Sequence, residues 1–287
     1  MYDIVYHLKQ RLHELSPVER RIADTILADI DGAAQSGIAE LAEQAGVSVA
    51  AISRFAKALD CDNVRELRAR LAEASAVGKR FLDDQDTPPS SALYAQICAD
   101  IESCLRRNVG GLQEQVVQSL AEALASARMI YVFGMGGCST VFGLELQNRL
   151  VRFGRPIAAY SDAISLKVVA ATLTPEDMVV ALSVSGITPE ILSAVDIARG
   201  YGAKVGAITR ADTALAERAD WLLPIVIDET DFVFKPSASR YAMMLAVDVL
   251  ATTLALHIAD DSRERLRRIK FALDNYRGGE NRLPLGD

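Results

Sequence analysis

Cysteine, histidine and aromatic side chains are all scarce in this sequence. Its 287 residues hold four cysteines, three histidines, one tryptophan and 6% aromatics. The cysteines (Cys61, Cys98, Cys104 and Cys138) form no CxxC pair, which excludes a zinc ribbon or a thioredoxin-type motif. A disulfide scaffold is likewise excluded for a chain of this size. No metal and no cofactor are expected. The first ten residues mix acids and bases without an apolar run, so no secretion signal is read there and the cytoplasm is the expected compartment. Long apolar runs are also rare. The single candidate, Tyr241 to Ala259, carries Asp248 at its centre, and a charge at the bilayer midplane costs at least about 2.5–3.5 kcal/mol. A helix buried against a sheet explains the same residues, so no membrane contact is expected.

What is present is ample apolar content, 50% of residues, with 24% charged and a net charge of −7. That is enough to bury a core in each of two domains. The acidity is uneven: residues 1–80 hold 11 basic and 12 acidic residues, while 44–80 hold seven basic and four acidic. This local excess permits a nucleic-acid face without establishing one. Residues 83–91, with acids, a Pro-Pro pair and two serines, read as a linker. The chain therefore divides into 1–82, the linker and 92–287.

Helical spacing governs the part before the linker. Ile4, Leu8, Leu12 and Leu15 recur at three- and four-residue intervals, as do Ile22, Ile26 and Ile30, and Ser16-Pro17-Val18-Glu19 has the form of a capped helix start. After one or two helices over 93–127, broken at Gly110-Gly111, the pattern changes. Short apolar runs at 129–133, 157–160, 178–184, 204–208 and 222–227 alternate with mostly helix-compatible stretches, which predicts an α/β domain with a parallel sheet flanked by helices.

Within the helical part, residues 37–59 predict a helix-turn-helix. Gly46 supplies a left-handed turn, Val47 plugs the corner and Ser48 caps a second helix. That helix points Ile52, Phe55 and Leu59 inward. The candidate DNA-binding residues are Ser48, Val49, Ala50, Ser53, Arg54 and Lys57, small side chains that permit close approach and two cations for phosphate or guanine. A plain helical hairpin would use the same glycine and apolar faces. Arg65, Arg68 and Arg70 fit phosphate contacts or a solvated face equally well.

Two segments of the α/β part carry candidate anion chemistry. Gly134-Met135-Gly136-Gly137-Cys138-Ser139 follows a strand and opens a helix. Backbone approach and free N–H groups favour an anion there, and Gly136, Gly137 and Ser139 are the candidates. A dinucleotide fingerprint would want a third glycine where Ser139 stands. The second segment is Ser183-Val184-Ser185-Gly186-Ile187-Thr188-Pro189-Glu190. The hydroxyls of Ser183, Ser185 and Thr188 and the backbone at Gly186 form a neutral cradle for a phosphate, and Glu190 reads as helix-start chemistry or an acceptor for a sugar hydroxyl. A capped strand–helix turn would need only one hydroxyl.

With these motifs the chain resembles the RpiR-type bacterial transcriptional regulators, which join a helix-turn-helix domain to a sugar isomerase (SIS) domain. The resemblance rests on Gly46-Val47-Ser48 with Ile52-Ser53-Arg54-Phe55, on the Gly134–Ser139 loop, on Ser183–Thr188, and on Ser239-Arg240 with Asp248-Val249-Leu250. It implies a DNA-binding regulator whose partners are an operator duplex, a phosphorylated sugar or sugar acid, and further copies of itself as a dimer or tetramer. The sequence departs from the family at Cys138, where many members have Ser, and at Ala51, where Thr is frequent. Lys235, in Phe232–Ser237, is a ligand cation or a solvated loop lysine. The rival reading is a phosphosugar isomerase with a helical accessory domain. It needs a positioned base and acid, yet two histidines lie in the helical part and His257 is expected to be buried, so no catalytic residue is assigned.

Overall fold

The computed structural model describes residues 3–76, 90–227 and 238–277, which form two compact units. The linker reading falls mainly outside these residues, although 90 and 91 already belong to a helix. Lys235 and its neighbours 232–237 also lie outside the described residues.

Among its described residues the first unit has six helices: α1 (Ile4–Arg11), α2 (Pro17–Ala28), α3 (Ile30–Gln35), α4 (Ile38–Gln44), α5 (Val49–Ala58) and α6 (Val64–Ala76). Helix starts are set by side chains. Asp3 accepts the amide of Val5, and Ser16 and Glu19 form the reciprocal capping box that their spacing predicts. One core joins the helices, with Ile4, Leu8, Ile22, Ile26, Leu41, Ile52, Phe55, Leu59, Leu67 and Leu71 buried. Burying each such aliphatic or aromatic side chain contributes about 1.5–3 kcal/mol. Leu12 and Leu15 pack at its margin.

The second unit opens with α7 (Ser90–Gly111) and α8 (Glu114–Ser126). The break between them is Leu112-Gln113, so the two glycines close α7 rather than interrupt it. Next come β1 (Ile130–Gly134), α9 (Gly137–Val151), β2 (Ile157–Tyr160), α10 (Ala163–Ala170), β3 (Met178–Leu182), α11 (Pro189–Gly200), β4 (Lys204–Thr209) and β5 (Trp221–Pro224). Only a single 3-10 turn, Ala216–Arg218, stands between β4 and β5. The last elements among the described residues are α12 (Ser239–His257) and α13 (Ala259–Tyr276).

All five strands are parallel, in the order β2-β1-β3-β4-β5. Strand alternation divides the core into two layers. Val132, Val180, Leu182 and Ile208 face α8, α9 and α12, while Phe133, Val179, Ala181 and Ala207 face α10 and α11. This explains the near-continuous apolar strands, since both faces are covered. Among the described residues α12 alone is long and apolar enough to cross a membrane. Here Ala242, Met243, Ala246, Val247, Leu250 and Leu254 bury its inner face, and Asp248 pairs with Arg149 of α9 at 3.2 Å.

Candidate functional site

The α4–α5 turn forms as its residues require. Gly46 takes φ +60°, Val47 packs against the core, and the Ser48 hydroxyl accepts the amide of Ala51. Ile52 and Phe55 anchor α5 inside, with Leu59 buried just after its end. The opposite face presents Ser48, Val49, Ala50, Arg54 and Lys57 to solvent, with Ser53 half-buried between them. All six candidate DNA-facing residues therefore share one surface. Ala51, where the sequence departs from the family, is buried and belongs to the core.

The arginines of α6 divide. Arg68 donates to the carbonyls of Ala34 and Gln35 at 2.9 and 2.8 Å, closing the end of α3. Arg70 pairs with Glu66 one turn away, and Arg65 is exposed. Arg68 thus has a structural task that its spacing does not reveal. Arg11, not singled out by sequence, donates to the Ala58 carbonyl at 2.5 Å at the end of α5.

In the second unit the strand order reverses direction between β1 and β3, and Gly134 is the register partner of Leu182 there. Paired strands lie about 4.8 Å apart. The glycine loop after β1 and the hydroxyl loop after β3 therefore leave the carboxyl edge side by side, at the topological switch where open α/β sheets bind ligands.

The glycine loop shows why each glycine is needed. A Cβ on Gly134 would lie 2.3 Å from the Ser139 carbonyl oxygen, so only glycine lets α9 start this close to the strand. Gly136 has φ +82°, and Gly136 and Gly137 are exposed. The amide of Thr140 bonds Gly136 O at 2.9 Å, so the amides before it lie in the unpaired first turn of α9, at its positive end. Ser139 is turned inward and buried, whereas Cys138 is half-buried. Burial pushes the Cys138 thiol up and keeps it protonated, against the opposing pull of the Arg240 charge. Arg240 stands exposed in the first turn of α12, its guanidinium 5.0 Å from the centre of the Tyr241 ring.

In the hydroxyl loop the three hydroxyls are not equivalent. Ser183 is buried, accepts the Gly186 amide at 3.0 Å and lies 3.3 Å from the Thr188 hydroxyl. Ser185 is exposed and makes only a 3.4 Å contact with the Ile187 amide. Thr188 occupies the N-cap position of α11 without capping it through its side chain. Ser183 therefore holds the turn, leaving Ser185 with an unspent donor, the Thr188 hydroxyl shared with Ser183, and α11 without a side-chain cap. Gly186 sits at φ +68° and is buried against Thr209 and Thr213, which a Cβ would strike at 2.7 and 2.3 Å. Glu190 is half-buried in the first turn of α11, one turn past Gly186.

His257 is exposed, contrary to the burial its apolar neighbours suggest, because it falls on the outer face at the end of α12. It lines a groove of about 560 Å³ with Val109, Leu112, Val117 and Leu256. At 1.5 Å per residue, His257 is about 25 Å along the helix from Arg240. Among the described residues no group of histidine, cysteine and carboxylate side chains is placed to hold a metal.

Comparison with known proteins agrees with both halves. Residues 3–78 match the model of the helix-turn-helix domain of the rpiR family, and residues 123–253 match that of the SIS domain. The HTH-type transcriptional regulator HexR of Pseudomonas aeruginosa is 29% identical over 279 residues, covering 95% of this chain and 96% of that one. The "Bifunctional protein glk" of Burkholderia orbicola is 30% identical over 266 residues, 90% of this chain but 40% of that longer protein. Among solved structures, the Vibrio vulnificus NanR protein complexed with ManNAc-6P aligns with a TM-score of 0.57 at 22% identity, covering 94% of this chain and 98% of that one. At that identity the likeness concerns the fold.

Proposed function

This chain joins an rpiR-family helix-turn-helix domain to a SIS domain, and we propose on that premise that it is a transcriptional regulator whose operator affinity is set by a phosphorylated sugar or sugar acid. We place the DNA-reading domain at 1–82, the linker at 83–91, with its last two residues opening α7, and the effector domain at 92–287. Ser48, Val49, Ala50, Ser53, Arg54 and Lys57 face the major groove. A recognition helix of this length covers one half-site, so a dimer or tetramer reads a two-fold site. The cytoplasm is the proposed compartment.

The observation that carries the reading is the meeting of the two loops at the β1/β3 switch. Gly136, Gly137 and the first amides of α9 lie on one side, and Ser185, Thr188 and the start of α11 on the other. Two helix N-termini and the hydroxyls of Ser185 and Thr188 suit a phosphate dianion. Arg240, exposed in the first turn of α12, adds a positive charge, Glu190 is the sugar-hydroxyl acceptor, and Ser139, its side chain buried, contributes its backbone amide. The solved NanR complex, with its bound ManNAc-6P, supports a phosphosugar in such a domain.

We read the effector domain as binding without turnover. A relative matched along nearly its whole length, HexR of Pseudomonas aeruginosa, is named as a regulator, and the histidine of this unit lies far along α12 from Arg240. The test has two arms. Duplexes selected from random DNA should share one two-fold sequence. Hexose and pentose phosphates and sugar-acid phosphates should then be screened for thermal stabilisation, where a compound at 100 times its Kd adds about 2.7 kcal/mol. Absence of any enriched sequence would refute the regulator, and measurable isomerisation of a stabilising compound would refute binding without turnover.

A further inference from the structure

We propose that Asn108 is the positioning residue through which the effector site acts on α7, the helix that carries the chain out of the linker. This rests on the phosphosugar reading given above. Asn108 is 2% exposed, and its carboxamide is fully engaged. Its Nδ2 donates to the Cys104 carbonyl at 2.8 Å and to the Val226 carbonyl at 3.0 Å, and its Oδ1 accepts the Val226 amide at 2.8 Å. The side chain thus takes both backbone groups of Val226, as a neighbouring strand would, just after β5 ends.

One turn earlier on the same helix, Cys104 is also buried and its thiol donates to the carbonyl of Ala238 at 3.3 Å. Val226 and Ala238 are the points where the chain leaves β5 and enters α12. A single face of α7 therefore holds both. Ala238, at the start of α12, and Cys138, in the glycine loop, pack against the same apolar core. A phosphate that draws in the start of α9 shifts the α12 start packed on that core, and with it a carbonyl bonded to α7. Removing an apolar contact along this route would let the elements slip. Removing Asn108 leaves the amide and carbonyl of Val226 without the partners that hold them in one arrangement.

Core packing alone does not explain why α7 spends a buried carboxamide here. Leu or Met would fill the volume, but neither would pin Val226. A contiguous route is not itself proof of coupling, so the test measures coupling directly. Operator affinity of Asn108→Asp and Asn108→Ala is titrated with and without the panel compound that stabilises the wild-type protein most. The Asp variant keeps the acceptor for the Val226 amide and loses both donated bonds. The expected result is unchanged operator affinity without compound, retained thermal stabilisation by it, and a response that falls from the wild-type value, typically 5- to 150-fold, to about twofold or less.

A merely structural Asn108 would lower the melting temperature and leave the response factor intact, which overturns the proposal. Should both variants fail to fold, hydrogen exchange on the wild-type protein decides. The compound should change exchange at the Val226 amide and along α7 near Cys104 and Asn108, and no change at either place overturns the coupling. If no panel compound stabilises the wild type, the phosphosugar reading itself has failed, and the coupling falls with it.

Discussion

The α4–α5 turn and the β3–α11 loop both place a left-handed glycine before a helix, yet they use it differently. Gly46 stands nearly in the open: an added Cβ would meet only the Arg21 guanidinium, at 4.0 Å. The turn is a hinge, and the chemistry lies beyond it, on the solvent face of α5. Gly186 is enclosed by Thr209 and Thr213, and the residues on either side of it are the candidate ligand contacts. In the first unit the glycine orients a helix that reads DNA. In the second it shapes the loop that binds. The first site should therefore tolerate change at its glycine better than the second.

The largest expected effect is at these glycines. Gly186→Ala incurs left-handed strain of about 1–2 kcal/mol plus overpacking against Thr213 of about 1–3 kcal/mol, and should abolish effector binding. Gly46→Ala bears only the strain and should lose about 1–2 kcal/mol of stability. Urea denaturation of both variants measures the gap, and equal losses would erase the distinction. Next, Arg54→Ala should weaken operator binding by about 1–3 kcal/mol while leaving stability and effector binding intact. A base contact would relax specificity at one position, whereas a phosphate contact would lower affinity on all sequences and reduce the salt slope. Smallest is the difference among the hydroxyls. Ser183→Ala removes the bond to the Gly186 amide and should cost about 0.5–1.5 kcal/mol. Ser185→Ala, at an exposed position, should leave the melting temperature unchanged within about 0.5 kcal/mol of stability. Identical melting curves for the two would mean that Ser183 does not hold the turn.

Local chemistry made much of this arrangement legible. The Ser16–Glu19 box, the Gly46 turn, the inward set Ile52, Phe55 and Leu59, and the apolar strands are each decided within one or two turns of chain. The candidate site was legible where it is contiguous, as in the two loops. It was not legible where folding joins distant residues. Asp248 meets Arg149 only because α12 packs on α9, and Asn108 meets Val226 across 118 positions. Arg68 as a helix cap and His257 as an exposed residue depend on which neighbours the tertiary structure supplies or withholds. Ser183 shows a subtler limit. Its type fits a phosphate donor, but burial and the Gly186 amide give it a task within the turn.

The central claim is that the loop after β3 binds an effector that changes DNA affinity from another domain. It is tested most directly by titrating the selected operator with wild type and with a Ser185→Ala, Thr188→Ala double variant, each with and without the stabilising phosphosugar. The account predicts the same operator affinity for both proteins without effector. With it, affinity should change for the wild type, within the roughly 5- to 150-fold range of typical couplings, and stay constant for the double variant. A double variant that responds at wild-type effector concentrations would contradict the account and move the binding site away from this loop.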